Sequence, residues 1–201
     1  MSELERWETR FAAPGYHFGT EPNAFLKSKA SLLKPGQKAL SIADGEGRNG
    51  VFLASLGLDV LAIDFSPSAL KKAEALANDR GVALRTELAD LETWTWPVAS
   101  YDVVVGIFFQ FLVPGSRTRV FDNIKRALKP GGLALIEGYG LKQIEYKTGG
   151  PGVAEQLYTR PMLQEAFGDF ASIEIEEYDA ALSEGDHHVG MSALVDLVGR
   201  K

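Results

Sequence analysis

The stretch Leu40-Ser-Ile-Ala-Asp-Gly-Glu-Gly-Arg-Asn-Gly50 decides the fold of this 201-residue chain. It begins as an apolar run typical of a buried strand, and it continues into a glycine turn and a segment with helical spacing. Gly45 and Gly47 let the backbone pass close to a ligand, while the following helix offers unpaired N–H groups and its positive end. With Gly50 the stretch matches G-x-G-x-x-G, a dinucleotide-binding pattern that is weakly specific by itself.

Around this stretch, short apolar runs alternate with amphipathic segments, which is the pattern of βαβ units in a parallel sheet. Strands are predicted over 39–43, 60–64, 82–88, 101–108 and 133–139. Helices are predicted over 49–56, 68–79, 116–128 and 161–167, the third of them stopped by Lys129-Pro130-Gly131-Gly132. Two long terminal strands, 172–178 and 189–198, are predicted on either side of a polar loop, 183–188. The sequence therefore predicts a doubly wound α/β fold.

Composition narrows the class of protein. The chain has no cysteine, which removes disulfides, thiolate nucleophiles and Cys-ligated metals, and which fits a reducing compartment. Its 27 acidic residues outnumber its 21 Lys and Arg, so binding to a nucleic-acid backbone is disfavoured. No stretch has the length and apolar character of a membrane span or the pattern of an export signal. We therefore expect a cytoplasmic protein with neither nucleic-acid nor membrane partners.

Polar side chains follow three of the predicted strands. Asp64 ends the second strand, where a carboxylate can accept both hydrogen bonds of a ribose diol; the alternative is an Asp that only caps the next helix. Asp90 follows the third strand, where an acid can read an adenine amino group, although a cap or turn is the commoner role for an isolated Asp. Gln110 interrupts an apolar stretch after the fourth strand, at the edge where ligands of open α/β sheets bind.

Together these motifs resemble the class I S-adenosylmethionine-dependent methyltransferases. The resemblance rests on Gly45-Glu-Gly-Arg-Asn49 with Phe52-Leu-Ala, on Ala62-Ile-Asp64-Phe-Ser-Pro, on Tyr101-Asp102-Val-Val and on Leu128-Lys-Pro-Gly-Gly132. The Gly-x-Gly-Arg-Asn form is similar to the tellurite-resistance and thiopurine methyltransferase-like branch. The resemblance implies a Rossmann-like sheet of seven strands, mostly parallel with an antiparallel last strand, and helices on both faces. It also implies S-adenosylmethionine as the cofactor and S-adenosylhomocysteine as its product.

The resemblance assigns site residues by position. The glycine turn would face the methionine part of the cofactor, Asp64 the ribose, and Asp90 with Leu91 the adenine. The cofactor-binding residues implied in this way are Asp44, Gly45, Gly47, Arg48, Asn49, Asp64, Phe65, Asp90, Leu91 and Phe108. We expect Arg48 to anchor the turn or a lid carboxylate, and Asn49 to cap the helix. The chain departs from the family at Ser41, Ala43 and Asp44, where Asp, Gly and Cys are frequent; Asp44 could replace the missing carboxylate near the methionine ammonium.

The methyl acceptor is less well specified. A sulfonium carries an activated methyl group, so the protein must place the acceptor in line at roughly 3 to 3.5 Å and exclude water. A base is needed only for hydroxyl or ammonium acceptors. Candidate residues on the acceptor side, with ordinary packing or solvated loops as the alternative, are Phe108, Gln110, Tyr139, Tyr16, Gln143 and Tyr146.

Two further segments carry expectations. The aromatic N-terminal segment, with Trp7 and Tyr16, predicts a helical lid within 1–35 that folds over a core of 36–201; packing of a leading helix is the alternative. The pair His187-His188 is interpreted as loop residues rather than as a base or metal ligands, because neighbouring strand residues point to opposite faces. We expect no metal site.

Two other classes share part of these features. An NAD(P)-dependent oxidoreductase has the same glycine pattern and Asp, but the chain shows no substrate domain and no Tyr-x-x-x-Lys pair. A non-catalytic nucleoside-binding relative stays open because of Ser41 and Ala43. The interpretation that we favour is one methyltransferase domain over 1–201, acting on a small-molecule acceptor through S, N, O or a metalloid, as a monomer or homodimer. No base-flipping tetrapeptide indicates a DNA or RNA acceptor.

Overall fold

A computed structural model describes residues 2–185 and 188–201 of the chain. Its strands are β1 (Lys38–Ile42), β2 (Asp59–Asp64), β3 (Arg85–Leu88), β4 (Tyr101–Ile107), β5 (Leu128–Tyr139), β6 (Ser172–Glu184) and β7 (His188–Arg200). Its helices are α1 (Glu3–Ala12), α2 (Ala24–Ser28), α3 (Arg48–Ser55), α4 (Pro67–Asp79), α5 (Pro114–Ala127), α6 (Gln143–Tyr146) and α7 (Arg160–Phe167).

The strands form a seven-stranded sheet in the order β3-β2-β1-β4-β5-β7-β6. β1 with β2, β2 with β3, and β4 with β5 pair in parallel, whereas β7 runs antiparallel to β5. Apart from its first residue, β2 is buried throughout, as expected for a parallel strand covered on both faces. The predicted α/β fold with seven strands and an antiparallel last strand is confirmed.

The backbone divides into two compact units. The first holds 2–94 with 184–185, and the second holds 95–183 with 188–201. In the first unit, α4 buries an apolar stripe of Ala69, Leu70, Ala73, Leu76 and Ala77. In the second, α5 buries Val120, Phe121 and Ile124. In both helices the apolar residues recur at helical spacing, which is why the sequence predicted them correctly.

Two predicted boundaries change. β3 begins at Arg85 rather than at Val82, because the Val82 N–H donates to the Ala77 carbonyl at 3.0 Å and prolongs the end of α4. The segment 129–132 lies inside β5 rather than in a loop after α5. It bulges there, since the pairing with β4 jumps from Leu128 to Leu133, and both Gly131 and Gly132 exchange backbone hydrogen bonds with Lys201.

The predicted polar loop over 183–188 is wrong. β6 continues to Glu184 and β7 begins at His188, so the connection is only 185–187, of which 186–187 lie outside the described residues. Gly185, the residue after β6, has φ +61°, a left-handed conformation that glycine adopts readily. The polar residues Ser183 and Glu184 therefore belong to the end of a strand.

Packing explains two glycines of the G-x-G-x-x-G pattern. A Cβ on Gly47, which has φ +91°, would lie 2.6 Å from Cα and Cβ of Ala73 in α4. A Cβ on Gly50 would lie 2.6 Å from a carboxylate oxygen of Asp44. The sequence interpretation attributed the close approach at Gly47 to a ligand, whereas in the structure α4 occupies that space.

We predict that Gly47→Ala destabilises the protein much more than Gly81→Ala. Both glycines have a left-handed backbone, but no atom lies within 4 Å of the position of a Cβ on Gly81. The Gly81→Ala variant therefore measures the cost of the backbone conformation alone. We expect about 1 kcal/mol for Gly81→Ala and about 3 kcal/mol for Gly47→Ala, measured by urea unfolding. Equal losses in the two variants would contradict the packing explanation.

Candidate active site

The glycine turn follows β1 directly. Ala43 has φ +46°, Gly45 has φ +59°, and Gly47 precedes the first residue of α3. Ala43 stands where the methyltransferases that the sequence resembles often have glycine, and its left-handed backbone costs about 1 kcal/mol for a residue with a Cβ. The turn keeps a glycine-like conformation without the glycine.

Asp44 lies inside this turn and is 7% exposed. Its carboxylate accepts hydrogen bonds from the Ser41 hydroxyl and from the Gly50 N–H at 3.0 Å. Burial raises the pKa of Asp44 to about 7, and the hydrogen bonds from Ser41 and Gly50 oppose that rise. Asp44 therefore joins β1 to the first turn of α3. These hydrogen bonds are the contacts of Asp44, one of the residues at which the chain departs from the family pattern.

Asp64 ends β2 and is 4% exposed. One carboxylate oxygen accepts from the Gly45 N–H at 2.9 Å, and the other accepts from the Ser66 N–H at 2.9 Å. Burial raises the pKa of Asp64 to about 6, against the lowering effect of these backbone donors. The Phe65 N–H is a further backbone donor to this carboxylate. A carboxylate has about four acceptor positions, so Asp64 retains capacity for a ligand hydroxyl.

The other predicted cofactor residues of this unit lie after β2 and β3. Phe65 is half-buried and follows Asp64. Asp90 is exposed and accepts from the Glu92 N–H at 2.9 Å, so it stabilises the turn after β3, and its role at the adenine stays a prediction. Leu91 is buried.

The N-terminal segment covers the glycine turn. The Phe11 ring of α1 lies 3.4 Å from the position of a Cβ on Gly45. The Glu8 carboxylate accepts from the hydroxyls of Ser66 and Ser68 at the start of α4, and these hydrogen bonds lower the pKa of Glu8. Trp7 stacks on Phe11 with ring centroids 5.4 Å apart.

Lys72 and Glu46 hold the chain that follows α1. The Lys72 ammonium donates to the carbonyls of Ala13 and Gly15 at 2.7 and 2.6 Å, and it pairs with Glu46 at 2.7 Å. Glu46 also accepts from the His17 N–H at 2.6 Å. The middle residue of the G-x-G turn thus binds the covering segment, a role that the sequence gave no sign of.

Tyr16, an acceptor-side candidate, belongs to the same segment. Its hydroxyl donates to the Lys72 carbonyl at 3.2 Å, and burial raises its pKa. These contacts fit the packing alternative for Tyr16, and its role beside the acceptor stays a prediction.

Arg48 and Asn49 form a second buried network. Arg48 pairs at 2.8 Å with Glu184, and both side chains are nearly inaccessible. Glu184 also accepts from the side chain of Asn23 at 3.1 Å, and Asn49 accepts from the Asn23 N–H at 3.0 Å. The predicted capping role of Asn49 is wrong, because α3 is capped by Gly47 without a side-chain hydrogen bond. Glu184 is the residue that sequence reasoning missed.

The acceptor-side candidates of the second unit gather at the ends of β4 and β5. Phe108 follows β4 with φ +54°, and its ring centroid lies 4.6 Å from that of Tyr139, the last residue of β5. Gln110 is 4% exposed and accepts from the Tyr139 N–H. Its amide nitrogen donates to the carbonyls of Tyr139 and Gln156 at 2.8 and 3.1 Å. The polar group of Gln110 is therefore engaged with backbone.

Gln143, Tyr146 and His188 complete the predicted set. Gln143 is buried and accepts from the Ala193 N–H at 2.9 Å, while Tyr146 donates to Asp179 at 2.9 Å. His188 begins β7, is 6% exposed, and has its ring 4.7 Å from that of Phe108. The loop interpretation of His188 is thus wrong, because β7 starts earlier than its apolar run; His187 lies outside the described residues.

Two absences among the described residues bear on the predictions about metal and membrane. Within 2–185 and 188–201, no group of three or more His, Asp or Glu is arranged to hold a metal ion. Over the same residues, no helix has the length and apolar character needed to cross a membrane.

A glycine turn after β1 and a buried acid at the end of β2 define a doubly wound α/β protein of the nucleoside-binding kind. Comparison with known proteins specifies the family. Residues 39–132 match the family model of a methyltransferase domain. The ribosomal protein L11 methyltransferase of Thermus thermophilus is 33% identical over 129 residues, which cover 62% of this chain and 49% of that protein.

Solved structures share the fold. One, described under the conversion of a disulfide bond into a thioacetal group during echinomycin biosynthesis, has a TM-score of 0.76 at 19% identity and covers 100% of this chain and 93% of its own. TehB from Haemophilus influenzae has a TM-score of 0.70 at 17% identity, with 98% of this chain and 66% of that one covered.

The matched segment, 39–132, indicates a class I S-adenosylmethionine-dependent methyltransferase, the class that the sequence motifs resemble, and S-adenosylmethionine is the cofactor of that class. The chain spans about half the length of the L11 methyltransferase that it matches. The acceptor does not follow from these similarities.

We predict that Asp44→Asn flattens the pH dependence of stability. The folded-state pKa of about 7 exceeds the value of about 4 in an unfolded chain, so the folded state binds the proton more tightly. This contribution to stability is complete below about pH 4 and is lost as pH rises through about 7. Between these limits the wild-type free energy of unfolding should fall more steeply than that of Asp44→Asn, by up to about 1.4 kcal/mol per pH unit.

Urea unfolding from pH 4 to pH 8 measures the difference. Asp122→Asn, at an exposed position on α5, serves as the control and should keep the wild-type slope. Parallel curves for wild type and Asp44→Asn would contradict the prediction.

Proposed function

We propose that this chain transfers the methyl group of S-adenosylmethionine to a small-molecule acceptor, and that 1–201 act as one methyltransferase domain. The observation that carries the proposal is the Asp64 carboxylate, which holds the N–H groups of Gly45 and Ser66 at once. This bridge fixes the turn after β1 and leaves lone pairs on an acid at the end of β2. A ribose diol would be bound by those lone pairs.

The residues of the turn fit a sulfonium nucleoside. Arg48 Nη1 is buried and has no hydrogen-bond partner in the described part of the chain, so a carboxylate such as that of methionine would satisfy it. The space above Gly45 is limited by the Phe11 side chain, which can move, and not by backbone. The bound cofactor supplies an activated methyl group, and the protein supplies orientation and exclusion of water.

Charge and composition favour a small acceptor and a cytoplasmic location. The net charge of −6 opposes binding to nucleic acid, and the absence of cysteine suits a reducing compartment. The oxidoreductase and the non-catalytic relative are the alternatives that the experiments below separate from methyl transfer.

Calorimetric titration with S-adenosylmethionine, S-adenosylhomocysteine and NADH tests the cofactor. We predict that Asp64→Asn weakens binding of both sulfur nucleosides by roughly 10- to 100-fold, since hydrogen bonds to a charged group contribute about 1.5 to 3 kcal/mol. Asp59→Asn is the matched control, because Asp59 begins the same strand at a half-exposed position and should leave binding unchanged.

The outcomes separate the three classes. Binding of NADH alone would favour the oxidoreductase. Binding of both sulfur nucleosides without methyl transfer to any acceptor of a broad small-molecule panel would favour the non-catalytic relative.

The N-terminal segment, within 1–35, is proposed to be a lid. Phe11 lies on Gly45, so the segment must open before the cofactor enters and can then close over it. Lys72 is the main residue that holds the segment in place, because its ammonium donates hydrogen bonds to two carbonyls of the segment as well as to Glu46.

We predict that Lys72→Met accelerates amide hydrogen exchange in α1 by about 10-fold or more in the absence of cofactor, since three charged hydrogen bonds are lost. Lys71→Met is the matched control, at the exposed neighbouring position. Mass spectrometry of exchange over 3–12 measures the effect. Equal exchange in the two variants would show that Lys72 does not fasten the segment.

A further inference from the structure

The carboxylate of Glu8 lies at the N-terminal end of α4. Glu8 belongs to α1, the helix of the proposed lid, whereas Ser66 is the N-cap of α4 and Ser68 is its second residue. One carboxylate oxygen of Glu8 accepts from the Ser66 hydroxyl and from the Ser68 N–H at 3.3 Å, and the other accepts from the Ser68 hydroxyl. The lid helix therefore places a negative charge where the positive end of α4 attracts anions.

Within the described part of the chain, every backbone donor at this helix end has an acceptor. The Ser66 N–H donates to Asp64 at 2.9 Å, and the Ser68 N–H donates to Glu8. The first residue of the helix is a proline, which has no N–H, and the Ala69 N–H donates to the Ser66 hydroxyl at 3.1 Å. Another anion could bind this helix end only by displacing Glu8.

This helix end lies directly beside the acid that is proposed to bind the ribose. Ser66 joins the two carboxylates, because its N–H donates to Asp64 and its hydroxyl donates to Glu8. Burial is the main cause of the raised pKa of Asp64, and the charge of Glu8 adds to it. Hydrogen bonds from Ser66 and Ser68 lower the pKa of Glu8 itself, so Glu8 is ionised at neutral pH.

A ligand at this place has to suit two carboxylates. A ribose bound by Asp64 would present its 2′- and 3′-hydroxyls at this end of β2, and each hydroxyl can donate a proton to a carboxylate oxygen. A phosphate on one of these hydroxyls replaces that donor with about 1.5 to 2 negative charges. The two serine hydroxyls and the helix end would suit such a phosphate, but Glu8 already occupies them.

We propose that Glu8 is a specificity-determining residue, which excludes adenine nucleotides with a phosphate on the 2′- or 3′-hydroxyl of the ribose. The inference rests on the proposed binding of the ribose by Asp64. Nucleosides with an unmodified diol are admitted, as in S-adenosylmethionine and S-adenosylhomocysteine. NADP(H), with its 2′-phosphate, and coenzyme A, with its 3′-phosphate, are excluded. Because Glu8 lies on α1, the closed lid imposes this selection, and a ribose phosphate would have to separate α1 from α4.

Competition calorimetry against S-adenosylhomocysteine tests the exclusion with adenosine, adenosine 2′-phosphate and adenosine 5′-phosphate. Wild type should bind adenosine more tightly than the 2′-phosphate by about 10-fold or more, because like charges repel. Glu8→Gln removes the charge at nearly constant size and should reduce this preference by roughly 10-fold, the effect of one hydrogen bond to a charged group. Glu8→Lys supplies an ammonium and should reduce it further.

Two controls separate the effect of Glu8 from a general change of charge. The 5′-phosphate is attached at the other end of the ribose, so its affinity relative to adenosine should stay the same in both variants. Glu3→Gln removes a carboxylate from an exposed position of the same helix and should keep the wild-type preference.

Amide hydrogen exchange over 3–12 gives a second readout that needs no variant. In wild type, saturating adenosine 2′-phosphate should accelerate exchange in α1, because the phosphate displaces Glu8 from α4. Adenosine leaves Glu8 in place and should not accelerate it.

Three results would overturn the inference. An unchanged preference in both Glu8 variants would assign the exclusion to Asp64 alone. An equal gain in affinity for the 5′-phosphate would show a general effect of charge. Equal affinity of wild type for adenosine and its 2′-phosphate would show that there is no exclusion. Failure of wild type to bind S-adenosylhomocysteine would instead count against the proposed function.

Discussion

The hydrogen bonds that two buried carboxylates accept from backbone N–H groups hold the glycine turn in place. Burying a carboxylate costs several kcal/mol unless donors surround it. Asp64 offsets part of that cost through the N–H groups of Gly45 and Ser66, and Asp44 does so through the Ser41 hydroxyl and the Gly50 N–H. The raised pKa of both acids shows that the donors offset only part of the cost. The turn is therefore stable because its charges are shared with backbone, and this constraint explains Gly50, where a side chain would meet Asp44.

Strand and helix positions were predictable because their apolar residues repeat with the period of the element. The reason for a given glycine was not predictable. Gly47 suits a ligand and a packed helix equally well in a sequence pattern, and only the structure shows that Ala73, far along the chain, occupies the space beside it. A glycine-rich fingerprint thus predicts a turn more securely than it predicts what the turn touches.

The sequence alone also could not predict the burial of side chains that depend on a partner far along the chain. Glu184 stands among polar residues and resembles a loop residue, yet Arg48, 136 positions away, pairs with it and allows its burial. His188 was misread for a related reason, because β7 begins before its apolar run does. A polar stretch of sequence predicts solvent exposure of a residue only where the fold brings no partner to that residue.

Gln110 shows that a polar residue at an apolar strand end can bind backbone as well as a ligand. Its position suggested contact with the substrate, but a side-chain amide has a limited number of donors and an acceptor, and here they bind Tyr139 and Gln156. A group saturated by backbone can orient a neighbour but has little left for a ligand.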